Sequence, residues 1–260
     1  MNNLFAAFWA EWMKVRRSRV VLVTFLAFSL LPLIGGFFMI LMKDPQAAKD
    51  AGIMGQKAEM LTGTADWPTF LSLISQGIAV GGLIVFGFVT SWIFGREHAD
   101  RTLKDLLALP TRRGAIVLAK YLAFTLVCLS MTIGIFGEAL LVGKLVGIPG
   151  WTREVFSSFT KIYFISALLT IVLSYPVAFF AHWGKGYLSA LGFVMFSMIM
   201  AQVLGVIGFG PWFPWSVPAL YSGSAGAGQQ VIPPVGFALV LITGLAGMGG
   251  TLWRWQSVDQ

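Results

Sequence analysis

Apolar residues run through this chain in long blocks. Six stretches are apolar for about twenty residues or more: 20–42, 70–94, 116–142, 159–181, 187–208 and 233–253. About 20 apolar residues in a helix cross the hydrocarbon of a bilayer. Inside hydrocarbon every backbone N–H and C=O must find its partner within the protein, and the strict alternation of an outer-membrane strand is absent. Each block therefore predicts a transmembrane helix. The chain reads as one all-α integral membrane domain over 1–260, with six spans, no evident internal repeat and no room for a separate soluble domain.

The polar interruptions define the links. Lys14, Arg16, Arg17 and Arg19 precede the first block, which at about 23 residues is too long for a signal-peptide core. Residues 43–69 carry scattered Lys and Asp with Pro45, which argues against a further span. The link at 182–186 is very short. The segment 208–231 has no charge and holds Pro211, Pro214 and Pro218 with Trp212, Phe213 and Trp215. It is too apolar for a water-exposed loop and too broken by proline for a span. It reads as an interfacial or re-entrant segment with its tryptophans at headgroup depth, or as an aromatic-belt anchor with no further role.

Composition agrees. The sequence is 57% hydrophobic and 11% charged, with mean hydropathy +0.80, against about 25% charged in soluble domains. The net charge of +7 follows from topology. With the N-terminus inside, twelve of the 18 Lys and Arg residues fall on the cytoplasmic side, which places both termini in the cytoplasm. These cations flank apolar runs and form no single basic face, so no nucleic-acid partner is expected. Cys128 is the one cysteine, and His98 and His182 lack further ligands at metal-binding spacing, so no metal is expected.

The most informative interruption is the loop 95–113, within FGREHADRTLKDLLALPTRR, a stretch holding eight charges between two apolar blocks. Thr102 can cap a short helix, and Asp105 three residues on approximates a capping box. Pro110 ends the helix. Leu103, Leu106 and Leu107 share one face, with Lys104 and Asp105 elsewhere. A helix of about two turns is not stable alone in water. It lies either on the membrane surface and the protein's own span ends, or in an apolar groove of a soluble partner.

The stretch 94–120 closely resembles the cytoplasmic loop of type-2 ABC exporter permeases, in particular the small permease subunits associated with bacitracin and lantibiotic export. The matching residues are Glu97 after the second span, the pair Thr102 and Leu103, the pair Leu109 and Pro110, then Arg113 and Lys120. Arg101 stands where the wider family often has glycine. The opening EWMKVRRSR, within an amphipathic segment 4–19, resembles that family's interfacial helix before the first span. The resemblance implies a transporter half in the bacterial plasma membrane. A second permease chain, identical or a sister, would pair with it. Separate ABC ATPase subunits would bind ATP and Mg and receive the coupling helix, and this chain would bind no cofactor. Leu103, Leu106 and Leu107 would fill an apolar groove, Lys104 and Asp105 would meet its rim, and Glu97 with the arginines would fix the loop through ion pairs. The expected function is outward transport of a peptide antibiotic or another lipophilic substrate.

The residues themselves leave other readings open. No GxxxxGK[ST], nucleophile elbow or HExxH occurs, so ATP hydrolysis or another enzymatic activity on this chain is not expected. A self-contained secondary transporter or channel is the alternative, but such carriers usually show more ionisable residues within their spans. Glu138 is the clear mid-span acid here. It is either part of a transport path or a structural partner of Lys144 or a hydroxyl. Gly77, Gly81, Gly82, Gly244, Gly247, Gly249 and Gly250 suit close helix packing. The Ser174–Tyr175–Pro176 sequence suits a kink in the fourth span.

Overall fold

The computed structural model describes residues 3–44, 64–103, 111–224 and 231–257. The described residues contain helices and no strand: α1 (Asn3–Arg16), α2 (Arg19–Lys43), α3 (Trp67–Ala99), α4 (Arg113–Val146), α5 (Arg153–Leu173), α6 (Tyr175–Trp183), α7 (Tyr187–Val206), the short α8 (Val217–Tyr221) and α9 (Pro234–Ser257). Two 3-10 turns, Gly210–Trp212 and Pro214–Ser216, lie between α7 and α8. Six rods are long and apolar enough to cross a membrane: α2, α3, α4, α5 continued by α6, α7 and α9.

Local chemistry sets where the rods begin. Ser18 accepts from the Val20 N–H at 3.1 Å and caps α2. Asp66 accepts from the Thr69 N–H at 2.9 Å and from the Thr64 hydroxyl, and caps α3. Thr152 does the same for α5 through the Val155 N–H. Each satisfies a donor that the first helical turn leaves open. The fourth rod is broken at Ser174, two residues before Pro176, which lacks an N–H. The Ser174 hydroxyl donates to the Thr170 carbonyl at 2.9 Å. α9 closes on the break: a Cβ at Gly247 would lie 2.5 Å from the Pro176 Cα, so only glycine allows this approach.

The rods are unequally buried. In α3, α4 and the α5–α6 rod, 61% of the most apolar window is inside the bundle, against 33% in α2, 22% in α9 and 17% in α7. The core is therefore built on α3 and α4, with Phe70, Ile74, Phe86, Phe94, Phe124, Ile135 and Tyr163 buried between them and their neighbours. α7 and α9 present most of their apolar surface outward.

The two ends of the bundle differ. At one, Lys43 donates to the carbonyls of Val146 and Gly147 at 2.5 and 2.9 Å, and the Trp67 N–H donates to Pro149 at 3.0 Å. The other end gathers α1, the end of α3 and the first turns of α4. α1 packs along α4 and buries Glu11 and Val15, while Phe5, Trp9 and Met13 form an exposed apolar stripe. In those first turns of α4, Ile116, Val117, Ala119 and Lys120 are buried.

Candidate functional site

The C-terminal end of α3 is shaped by a Schellman turn. The Thr102 N–H donates to the Glu97 carbonyl at 3.0 Å and the Arg101 N–H to the His98 carbonyl at 3.4 Å. This closure needs a left-handed residue, and Arg101 takes it with φ 57°. Thr102 is exposed, while Leu103 is only 7% exposed within the hydrophobic core. Leu103 therefore packs against its own chain. Lys104, Asp105, Leu106, Leu107 and Pro110 lie outside the described residues. Arg113 is the first residue of α4 and is half-buried.

One turn before the Schellman closure, Glu97 points into the protein. It belongs to the last turns of α3 and is 3% exposed. Its partners are lysines. Lys120, fully buried in α4, donates to Glu97 Oε1 at 2.6 Å, to Glu11 Oε2 at 3.1 Å and to the Ile93 carbonyl at 3.0 Å. Lys14 reaches Glu11 Oε1 at 2.5 Å and Glu97 Oε1 at 3.4 Å. Among the described residues no arginine makes an ion pair, because Arg112 and Arg113 enter α4 two turns short of this level.

The four residues form a nearly closed, charge-balanced cluster joining α1, α3 and α4. Burial opposes ionisation of Glu11 and is the largest influence on it. The attraction of Lys120 and then Lys14, with hydrogen bonds from both, outweighs that cost and holds its carboxyl below the ordinary 4.5. Among the described residues Glu97 Oε2 is buried without a donor. The arrangement has no nucleophile or metal set. Its ion pairs tie the end of α3 to α1 and α4.

Beside this cluster the structure brings together two histidines that are distant in sequence. His98 Nε2 and His182 Nδ1 lie 2.8 Å apart, and the His182 ring stacks on Trp255 at 5.1 Å between centroids. The pair ties the end of α3 to α6 and α9. A direct imidazole–imidazole hydrogen bond leaves no space for an ion between the nitrogens, and the described residues contain no group of three or more His, Cys, Asp or Glu that could hold a metal.

Glu138 lies elsewhere, two turns from the far end of α4. It is half-buried, and among the described residues it has neither an ion pair with Lys144 nor a hydrogen bond. A cavity of about 310 Å³ opens between α3, α7 and the segment after α7, lined by Ala79, Gln202, Trp215, Ser216, Leu220 and Ser224 among others. Glu138 does not line it. Among the described residues Trp215 Nε1 is buried there without an acceptor.

Sequence reasoning matched Lys120 only as a motif position and missed Glu11 and Lys14 as its partners. Two signals were available: a lysine seven residues into an apolar helix, and a Glu–Lys pair three residues apart in the amphipathic opening segment.

These features define a six-span helical membrane protein with a charged joint at the end of α3. Residues 7–202 match the model of a family described as ABC-2 family transporter protein. The match covers most of the chain, and the protein belongs to this family as a multi-pass permease. It is 27% identical over 180 residues to the bacitracin transport permease protein BCRB of Bacillus licheniformis, covering 68% of this chain and 85% of that relative.

Proposed function

We propose that this chain is the membrane-spanning subunit of an ATP-driven exporter in the bacterial plasma membrane. A separate ABC ATPase holds ATP and Mg and docks on the loop 95–113, with Leu106 and Leu107 as the apolar contacts and Lys104 and Asp105 at their rim. Both termini are cytoplasmic. α1 lies in the interface with Phe5, Trp9 and Met13 toward lipid, and the turns between α7 and α9 re-enter the outer side of the membrane. A second permease chain, identical or a sister, pairs with this one.

The observation that carries the reading is the Glu11–Lys14–Glu97–Lys120 cluster. Glu97 is a buried charge in the last turns of α3, and Lys120 binds it to α1 and α4 at once. A push on the loop by a closing ATPase therefore moves three helices as one body. The likeness to a bacitracin permease supports a peptide antibiotic or another lipophilic molecule as substrate. Glu138, a half-buried acid with no partner among the described residues, is placed on the transport path as a contact for a cationic group of the substrate.

The test is resistance of cells expressing the chain with its ATPase to a panel of lipophilic peptide antibiotics. Resistance should require a hydrolysis-competent ATPase and should fall with Glu138→Gln at equal expression. Equal resistance from the chain without any ATPase would overturn the energy coupling. Unchanged resistance in Glu138→Gln would remove Glu138 from the path.

A further inference from the structure

A groove of about 440 Å³ runs between α1, α2 and α4, away from the cavity and the charge cluster. Its floor is apolar, formed by side chains such as Phe25 and Met131 and by the missing side chain of Gly134, where a Cβ would lie 2.7 Å from the Phe25 ring. The hydroxyl on its wall, Ser130, already donates to the Leu126 carbonyl at 2.8 Å and asks nothing of an occupant. The surface beside the groove is also apolar: Leu22, Leu26 and Ile133 are each more than half exposed. The groove therefore opens sideways into hydrocarbon.

Its mouth has the opposite character. Arg16 and Ser18 line it at the junction of α1 and α2, and Arg17 and Arg19 flank them. All three arginines are exposed and none has an ion-pair partner among the described residues. The acid nearest in sequence, Glu11, faces away into Lys14 and Lys120. An occupant must therefore carry an anionic head at the level of Arg16 and an apolar chain reaching toward Phe25 and Gly134.

We infer that this groove binds one anionic phospholipid, its phosphate held by Arg16 and Ser18 and one acyl chain lying along α4. Charge and shape select together: cations near a membrane surface draw anionic lipids by about 1 kcal/mol each, roughly fivefold in affinity, and the apolar floor holds the chain. The site has a consequence for the charged joint. α1 carries the lipid on one side and Glu11 on the other, so the bound lipid braces the helix that closes the cluster.

Native mass spectrometry of the full-length chain, titrated with phosphatidylglycerol or phosphatidylcholine, tests this. One phosphatidylglycerol should remain bound after other lipids are stripped, in clear preference to phosphatidylcholine. Arg16→Gln should weaken it about fivefold. Ser130→Trp, at an exposed position that fills the groove without changing charge, should abolish the tightly held lipid while the chain stays folded. Equal retention of the two lipids, full retention in Ser130→Trp, or a second copy of the chain in place of the lipid would each overturn the assignment.

Discussion

Lys120→Met is the sharpest perturbation of the charged joint. Methionine keeps the apolar stem and fits an apolar helix, so packing changes little. What is lost is the ammonium group at 2.6 Å from Glu97, 3.1 Å from Glu11 and 3.0 Å from the Ile93 carbonyl. Two carboxylates, each 3% exposed, then share only Lys14, whose side chain is about one-third exposed. Breaking a buried ion pair by removing one partner typically costs about 3–5 kcal/mol, because the remaining charge is desolvated and unpaired. Glu97 has one oxygen without a donor already, so the upper half of that range is expected. The assay is a denaturant titration in mixed micelles, run as a double-mutant cycle with Glu97→Gln. Removing both charges should restore much of the loss, giving a coupling of about 1–3 kcal/mol. A Lys120→Met chain within about 0.5 kcal/mol of wild type, or strictly additive single variants, would refute the reasoning.

Three further outcomes are expected. Glu11 titrates lower when folded than its ordinary 4.5, so its contribution to stability is complete above 4.5 and is lost as pH falls through the lower folded value; an acid titration of unfolding should show that loss below 4.5 and show less of it in Glu11→Gln. Arg101→Gly should raise stability by about 1 kcal/mol, measured by the same titration, because glycine takes the left-handed turn without steric cost. Gly247→Ala should destabilise by about 1–3 kcal/mol through overpacking on Pro176, whereas Gly249→Ala, with open space around it, should not.

The span count was legible because hydrophobic length is a local property, and the six rods coincide with the six apolar blocks. Their ends were less so. The third block reads as 116–142, yet α4 runs Arg113–Val146. Ile116, Val117 and Ala119 in its first turns are buried by protein, and hydropathy does not separate burial in protein from burial in lipid. The break at Ser174 followed from Pro176, a local cue. Arg101 takes a left-handed backbone that glycine adopts more readily, and no local pattern in the sequence signals it. The joint was the least legible part. Glu11 and Lys120 are 109 residues apart, and His98 and His182 are 84 apart. No periodicity links such positions; only the packing of α1 on α4 and of α3 on α6 brings them together. The burial of Leu103 has the same origin, since it rests on tertiary contacts that helical spacing does not encode.

The most direct measurement is purification of the chain from native membranes in mild detergent by a C-terminal tag, beside the Leu106→Asp/Leu107→Asp variant. A soluble ABC ATPase subunit should accompany the wild-type chain and be absent from the double variant, which still inserts and folds. A wild-type chain that purifies without an ATPase, or a variant that retains one, would contradict the coupling loop and leave a transporter that works by other means.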